Sequence, residues 1–247
     1  GPDQGCGVDK CVDACESARL SKGSVGCSFW TVAPDDEQHG PGACYAALVA
    51  NTWDRPVTLT AEINGASLDI SKSIYTSTRT GPDAETYTPV TGPLAPGQVA
   101  VVFLSQSAVQ SRPDATRCPK DVVPALLMDP FTHGTGKSVA FHLSADAPIS
   151  AYAIFPYGGA DSFFPSSTLL LPDSSWDTSY LAVTTGSFGN PYDRGPFSRR
   201  TIQVVANEDD TQVTMRPNVH IVGSGDLEGA VKGQSKTWTL SRGEVLQ

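Results

Sequence analysis

The residues of this 247-residue sequence with chemistry to offer are six cysteines, four histidines and a few short acidic or glycine-rich runs. Cys6, Cys11, Cys15, Cys27, Cys44 and Cys118 all fall in the first half of the chain. An even count in an acidic, turn-rich chain predicts disulfides, and with them an oxidising compartment. Six cysteines can be joined in about 15 ways, and spacing alone does not choose among them. Zinc is the competing use of the same side chains. The run C-x4-C-x3-C-x11-C lacks a close C-x2-C pair and encloses no histidine, so disulfides are the preferred reading.

No catalytic residue, metal or cofactor is expected. His39, His133, His142 and His220 are not spaced as ligand pairs, and His142 falls in an alternating run where a structural role is expected. No G-x-S-x-G elbow occurs, and oxidised cysteines supply no thiolate nucleophile. Gly134-Thr135-Gly136-Lys137-Ser138 looks like part of a phosphate-binding loop. Such a loop needs another glycine where Phe131 stands and a helix where 139–143 reads as strand, so a turn is expected instead. Glu208, Asp209 and Asp210, like Asp35, Asp36 and Glu37, are weak Ca2+ candidates. They lack the spaced ligands and glycine of a calcium loop, and solvated turn charge is the expectation. Trp53 and Asp54, at a loop tip, are the candidate binding residues, because the equivalent of Trp53 later in the chain is Asp209 and the fold does not demand an aromatic there. The competing expectation folds Trp53 down onto the protein, as large aromatics usually are.

Strands must position these residues, since no segment beyond about a dozen residues keeps a helical period. Ile202, Val204 and Ala206, then Val213 and Met215, alternate with polar residues around the acidic turn 207–211, which predicts a hairpin. Val49-Ala50-Asn51 and Val57-Thr58 repeat Val205-Ala206-Asn207 and Val213-Thr214 at one common spacing. Leu94-Ala95-Pro96-Gly97-Gln98-Val99 is echoed in turn by Leu240-Ser241-Arg242-Gly243-Glu244-Val245. Two echoes in the same order predict a duplicated β module.

The predicted fold class is all-β, with tandem β-sandwich (Ig-like) modules behind a disulfide-rich N-terminal cap. Residues 1–43 would be the cap and first strand, 44–186 the first module and 187–247 a second, incomplete one. One helical turn is predicted at 12–19 and strands at 27–33, 67–75, 168–171, 180–184, 219–222 and 236–240. Hairpins are predicted from 44–51 with 56–63, and from 139–143 with 149–155 through Ala145-Asp146-Ala147-Pro148. The polar span 76–93 reads as a surface loop, and the apolar run 99–104 as a strand covered on both faces. The second module has no counterpart of 139–155, which leaves an edge that a neighbouring chain's strand could fill.

Formal net charge is −9, with 17 Lys and Arg against 26 Asp and Glu, and no basic cluster occurs. Nucleic-acid binding is therefore not expected. No apolar run approaches the about 18 residues of a membrane-spanning helix, and no signal peptide is recognisable, as for a mature or trimmed chain.

Gly26-Cys27-Ser28-Phe29-Trp30, Ala147-Pro148-Ile149-Ser150-Ala151-Tyr152, Thr168-Leu169-Leu170-Leu171-Pro172 ahead of Trp176 and Tyr180, the run Val204–Val213 and the run Leu240–Gln247 form an ordered set. In that order they resemble the IgG-Fc-binding protein N-terminal domain family, over roughly residues 26–247. The resemblance implies a bacterial secreted or surface member, shorter than the family domain. It also implies a non-catalytic β module for adhesion or surface assembly, with surface or matrix proteins, glycans or copies of itself as partners. An immune- or glycan-recognition module is the alternative, and an extracellular hydrolase the lesser one.

Overall fold

The structure, a computed structural model, describes residues 3–35, 40–81, 84–109, 116–158, 165–183 and 201–247. It is mostly strand. At the N-terminus, β1 (Gln4–Cys6) and β2 (Cys11–Asp13) form a hairpin that leads directly into α1 (Ala14–Ser21). Asp13 starts this helix by accepting a hydrogen bond from the Cys15 amide at 2.9 Å. Lys22 ends it in the left-handed conformation. A full short helix thus stands where one turn was expected.

The main sheet is assembled from β3 (Gly26–Thr31), β4 (Tyr45–Asn51), β5 (Leu59–Ile63), β6 (Ala66–Leu68), β7 (Ile74–Gly81), β8 (Ala84–Pro89) and β9 (Val99–Ser105). A short β10 (Lys137–Val139) then precedes β11 (Phe141–Phe155), the spine of the sheet, and β12 (Ser166–Leu170). The first half of β11 carries β5 on one edge and β3 on the other; its second half carries β4 and β12. This corrects two predicted hairpins. The segments 139–143 and 149–155 do not fold back on each other, because 141–155 is one continuous strand. Ala145-Asp146-Ala147-Pro148 has turn composition, yet it forms an irregularity where the register with β3 shifts between Ser144 and Ile149. A residue without an N–H is tolerated at such a place. Nor do β4 and β5 pair with each other; they lie end to end along β11, with 52–58 looping out between them.

The C-terminal segment repeats this departure. β13 (Val204–Val205) pairs with β16 (Glu244–Leu246), and β14 (Thr211–Met215) pairs with β15 (Lys236–Leu240), so the hairpin predicted over 202–216 is not formed. Alternation fixes which face a strand buries, and it leaves the partner open. The edge expected to be empty is partly filled from within the chain, since β10 pairs with the other side of β16.

The echoed turns share their hydrogen bonds. Gln98 N donates to Ala95 O and Glu244 N to Ser241 O, both at 3.0 Å. The side chains of Gln98 and Glu244 accept from the amides of Ala95 and Ser241 at 2.8 and 3.0 Å. Gly97 and Gly243 both take positive φ there, a conformation that glycine adopts without a Cβ penalty.

The span 76–93 is not a loop: β7 and β8 form a ribbon across most of it. Its Thr, Ser, Arg and Glu side chains are polar on both faces, so no alternation announces it. Residues 180–183 are exposed coil, and Ile221 makes a single bridge to Ala230 in place of the strand predicted at 219–222. Residues 184–200, including the predicted module boundary, lie outside the described residues.

β9 is covered on both faces, as its unbroken apolar run predicts. Ala100, Val102 and Leu104 enter the main core with Phe29, Tyr45, Val49, Phe141, Leu143 and Ile149. Val101 and Phe103 enter a second cluster with Cys44, Ala46 and Tyr75 on the opposite face. The C-terminal segment has its own small core of Ala206, Ala230, Trp238, Leu240 and Leu246. Trp30, Ala140 and Val245 join it to the main sheet.

Candidate functional site

Of the six cysteines, Cys15 is bonded to Cys27 and Cys44 to Cys118. The first bridge fixes α1 to β3. The second ties the loop after β9 to the start of β4, beside a hydrogen bond from Cys44 N to Thr116 O at 2.8 Å. Cys6 and Cys11 are exposed thiols, so the framework is closed at two of the three expected places.

One dense group of titratable side chains is centred on His142. Strand pairing sets His142 directly between Trp30 of β3 and Glu62 of β5. Residues directly opposite in register share a face of the sheet, and here it is the face away from Phe29, Leu143 and Ala61 in the core. Ser28, two residues before Trp30, falls on the same face. The turn at Asp173–Ser175 brings Asp173 over this face, and the turn between β15 and β16 brings Arg242.

The distances are those of a Ser-His-acid array. Ser28 Oγ lies 2.8 Å from His142 Nε2, and His142 Nδ1 lies 3.0 Å from Glu62 Oε1. Ser28 has one hydroxyl proton, and it donates this to Asp173 Oδ2 at 2.5 Å. His142 Nε2 must then be the donor to Ser28, because an acceptor there would leave the pair without a proton. Burial, aided by Arg242, lowers the His142 pKa against the pull of Glu62 and Asp173. Nδ1 lies between Glu62 Oε1 at 3.0 Å and Arg242 Nη2 at 3.3 Å. Arg242 Nη1 reaches Glu62 at 2.5 Å, so the guanidinium bridges imidazole and carboxylate. A serine nucleophile needs the opposite polarity, with the imidazole taking the hydroxyl proton.

The arrangement holds two parts of the chain together. Trp30 stacks on His142 with ring centroids 4.4 Å apart, and the Arg242 guanidinium sits 4.8 Å over the same indole. Trp30 Nε1 donates to Asn207 Oδ1 at 2.7 Å. Ala140 N donates to Gly243 O at 2.9 Å. Both echoed segments of the C-terminal part thereby seat on one tryptophan.

A second polar group surrounds His133. Its Nε2 lies 2.8 Å from Asp129 Oδ2 and its Nδ1 3.6 Å from Asp35 Oδ1. Burial opposes the charged ring, but the hydrogen bond to Asp129 and the charges of Asp129 and Asp35 prevail and push its pKa up to about 9. Asp129 is half-buried, which opposes its charge, yet contacts with His133 and the Phe131 and Gly42 amides hold it below the usual carboxylate range. The phosphate-loop look-alike lies beside this group. Gly136 exchanges backbone hydrogen bonds with Gln247, and Lys137 pairs with Glu244 at 2.9 Å, so the loop is taken up by the C-terminal strand.

Trp53 packs against the main core and close to Gly5 of the N-terminal hairpin, whereas Asp54 is exposed. Glu208, Asp209 and Asp210 are exposed, and Asp209 Oδ1 accepts from the Arg242 amide at 2.9 Å. Among the described residues no three His, Cys, Asp or Glu side chains converge as metal ligands. His220 is exposed, and His39 lies outside the described residues. Sequence reading placed His142 on a strand but missed Ser28, Glu62, Asp173 and Arg242. The usable signal was the polar position in each apolar alternation, as in Ala61-Glu62-Ile63 and Phe141-His142-Leu143.

The molecule is thus a disulfide-bonded, strand-rich protein whose C-terminal part is clamped to its main sheet. Among the described residues no helix is long and apolar enough to cross a membrane. Residues 166–247 match the family model of the IgGFc binding protein. The matched stretch begins at β12, which pairs with β11 in the main sheet, and runs through the clamp to Gln247. No curated protein and no solved structure matches the chain.

Proposed function

We propose that the chain is a secreted or cell-surface module that acts by adhesion. Its partners in this reading are other surface or matrix proteins, glycans or copies of itself. The observation that carries the reading is the match of residues 166–247 to the IgGFc binding protein family. The two closed disulfides suit an oxidising, extracellular compartment. The direction of the Ser28 proton supports a non-catalytic role, because the hydroxyl is already committed to Asp173. The shared hydrogen bonds of the two echoed turns support tandem β-sandwich modules, 44–186 and 187–247, behind a cap at 1–43, with an outer edge open to a neighbouring chain's strand.

Recognition of an immunoglobulin or a glycan is the second reading, favoured by the name of the matching family. Light scattering of the purified chain, with surface binding to IgG Fc fragments, matrix proteins and a glycan array, tests both. Self-association or retention on matrix proteins is expected for adhesion, and selective retention on Fc or one glycan for recognition. A strict monomer retained on none of these surfaces refutes the proposal. Ester hydrolysis that disappears in Ser28→Ala would overturn the non-catalytic role.

A further inference from the structure

Cys6 and Cys11 face each other across the N-terminal hairpin as register partners. Gly7 N donates to Lys10 O at 2.8 Å, and Ala14 N donates to Asp3 O at 3.1 Å. In an antiparallel ladder, hydrogen-bonded pairs alternate with pairs that exchange no hydrogen bond. Gly7 with Lys10 and Asp3 with Ala14 are of the first kind, which makes Cys6 with Cys11 of the second. There the Cα atoms approach to about 4.5 Å and the side chains are closest, inside the about 4.4–6.8 Å that a disulfide spans. The hairpin's other face is taken: a Cβ on Gly5 would lie 2.4 Å from Ser17 Cβ of α1. The sulfur-bearing face is therefore the one turned to solvent, and both cysteines are exposed.

We propose that Cys6 and Cys11 form a solvent-facing dithiol–disulfide site that exchanges with low-molecular-weight thiols and disulfides of the glutathione class, while the two other bridges stay closed. In the oxidising direction, one cysteine thiolate attacks a sulfur of the small disulfide. One small thiol leaves, and a mixed disulfide remains on the protein. The second cysteine attacks the protein sulfur of that bond, expels the other small thiol and closes Cys6–Cys11. Two protein thiols become one disulfide, one small disulfide becomes two small thiols, and these carry away both protons. The reducing direction runs the same steps backwards.

Selectivity follows from access and ring size. Cys44 is fully buried, and Cys15 packs 3.9 Å from Ala145 O of β11. Those bridges span 12 and 74 residues, so each restrains the unfolded chain more than a ring over 6–11 does. Exposed disulfides with little stabilisation behind them are the ones that exchange.

The full chain would be equilibrated in graded mixtures of reduced and oxidised glutathione, then labelled with a maleimide and mapped by mass spectrometry. In the oxidised mixture a Cys6–Cys11 cross-link is expected. As the mixture becomes more reducing, both residues should label to completion while Cys15, Cys27, Cys44 and Cys118 remain unlabelled. Cys6→Ser should leave Cys11 as a glutathione mixed disulfide without a change in melting temperature. The proposal fails if Cys6 and Cys11 stay as thiols in oxidised glutathione, if they bond to other cysteines, or if all three bridges open together.

Discussion

Gly97 and Gly243 occupy one position in two copies of the same turn, at φ of +72° and +76°, and alanine should cost different amounts at the two. At Gly97 a Cβ would meet nothing within 4 Å. The cost there is conformational alone, about 1 kcal/mol for alanine held at positive φ. At Gly243 the same Cβ would stand 2.9 Å from Trp30 Cζ3 and 3.1 Å from Cη2. The indole is 6% exposed, held at its nitrogen by Asn207 and roofed by Arg242, so it has little room to withdraw. Overpacking of this kind adds about 1–3 kcal/mol, for a total of about 2–4 kcal/mol. In a chain of this size about 1 kcal/mol lowers Tm by roughly 2–4 °C. Gly97→Ala should therefore lose roughly 2–4 °C and Gly243→Ala roughly 4–16 °C. Melting followed by circular dichroism reads the totals, and hydrogen exchange at the Ala140 amide, which donates to Gly243 O, localises the second. Equal losses within about 0.5 kcal/mol, or unchanged exchange at Ala140, would refute the clamp at Trp30.

Three further outcomes are expected. Replacing Cys44 and Cys118 by alanine should destabilise by about 4 kcal/mol and replacing Cys15 and Cys27 by about 3 kcal/mol, since the loops span 74 and 12 residues; chemical denaturation of the two double variants checks the order. Stability against pH should peak near neutrality. His133, raised from 6.5 to about 9, contributes fully below 6.5 and loses its contribution as pH rises towards 9. His142 is lowered, so the unfolded chain binds more protons and stability falls as pH drops through 6.5. Denaturation midpoints across pH should show His133→Gln flattening the alkaline side and His142→Gln the acid side. Asn51 is buried and holds Arg55 O at 2.8 Å, Leu94 O at 2.9 Å and Trp53 N at 2.9 Å. Asn51→Ala leaves these groups unmatched and should cost about 1–3 kcal/mol in the same assay.

The strand-rich class was legible because alternation and unbroken apolar runs report burial directly, as at 99–104. Partner choice was not. Val49 and Val57 predict two strands, and nothing local says that both will line one edge of β11 and never meet. The bend at 145–148 misleads for a related reason, since Asp146 and Pro148 carry the same composition in a turn and in an irregular strand. Register explains the missed site as well: Trp30, His142 and Glu62 lie far apart in the chain, and only the pairing of three strands makes them neighbours. Arg242 was closer to legible. The echoed turn was visible in sequence, but the first copy has Pro96 there, so comparing the copies gave no hint that this position reaches another part of the molecule.

The uninterrupted course of β11 bears on how the molecule opens. Because β3 and β5 hang on one end of the same backbone that supports β4 and β12 at the other, the two ends are expected to open together. Opening should be all-or-none over 141–155, with amide protons at both ends lost at one rate. A disturbance at the Ser28–His142 face would then be felt at the far end of the sheet, where Tyr87 and Tyr157 meet.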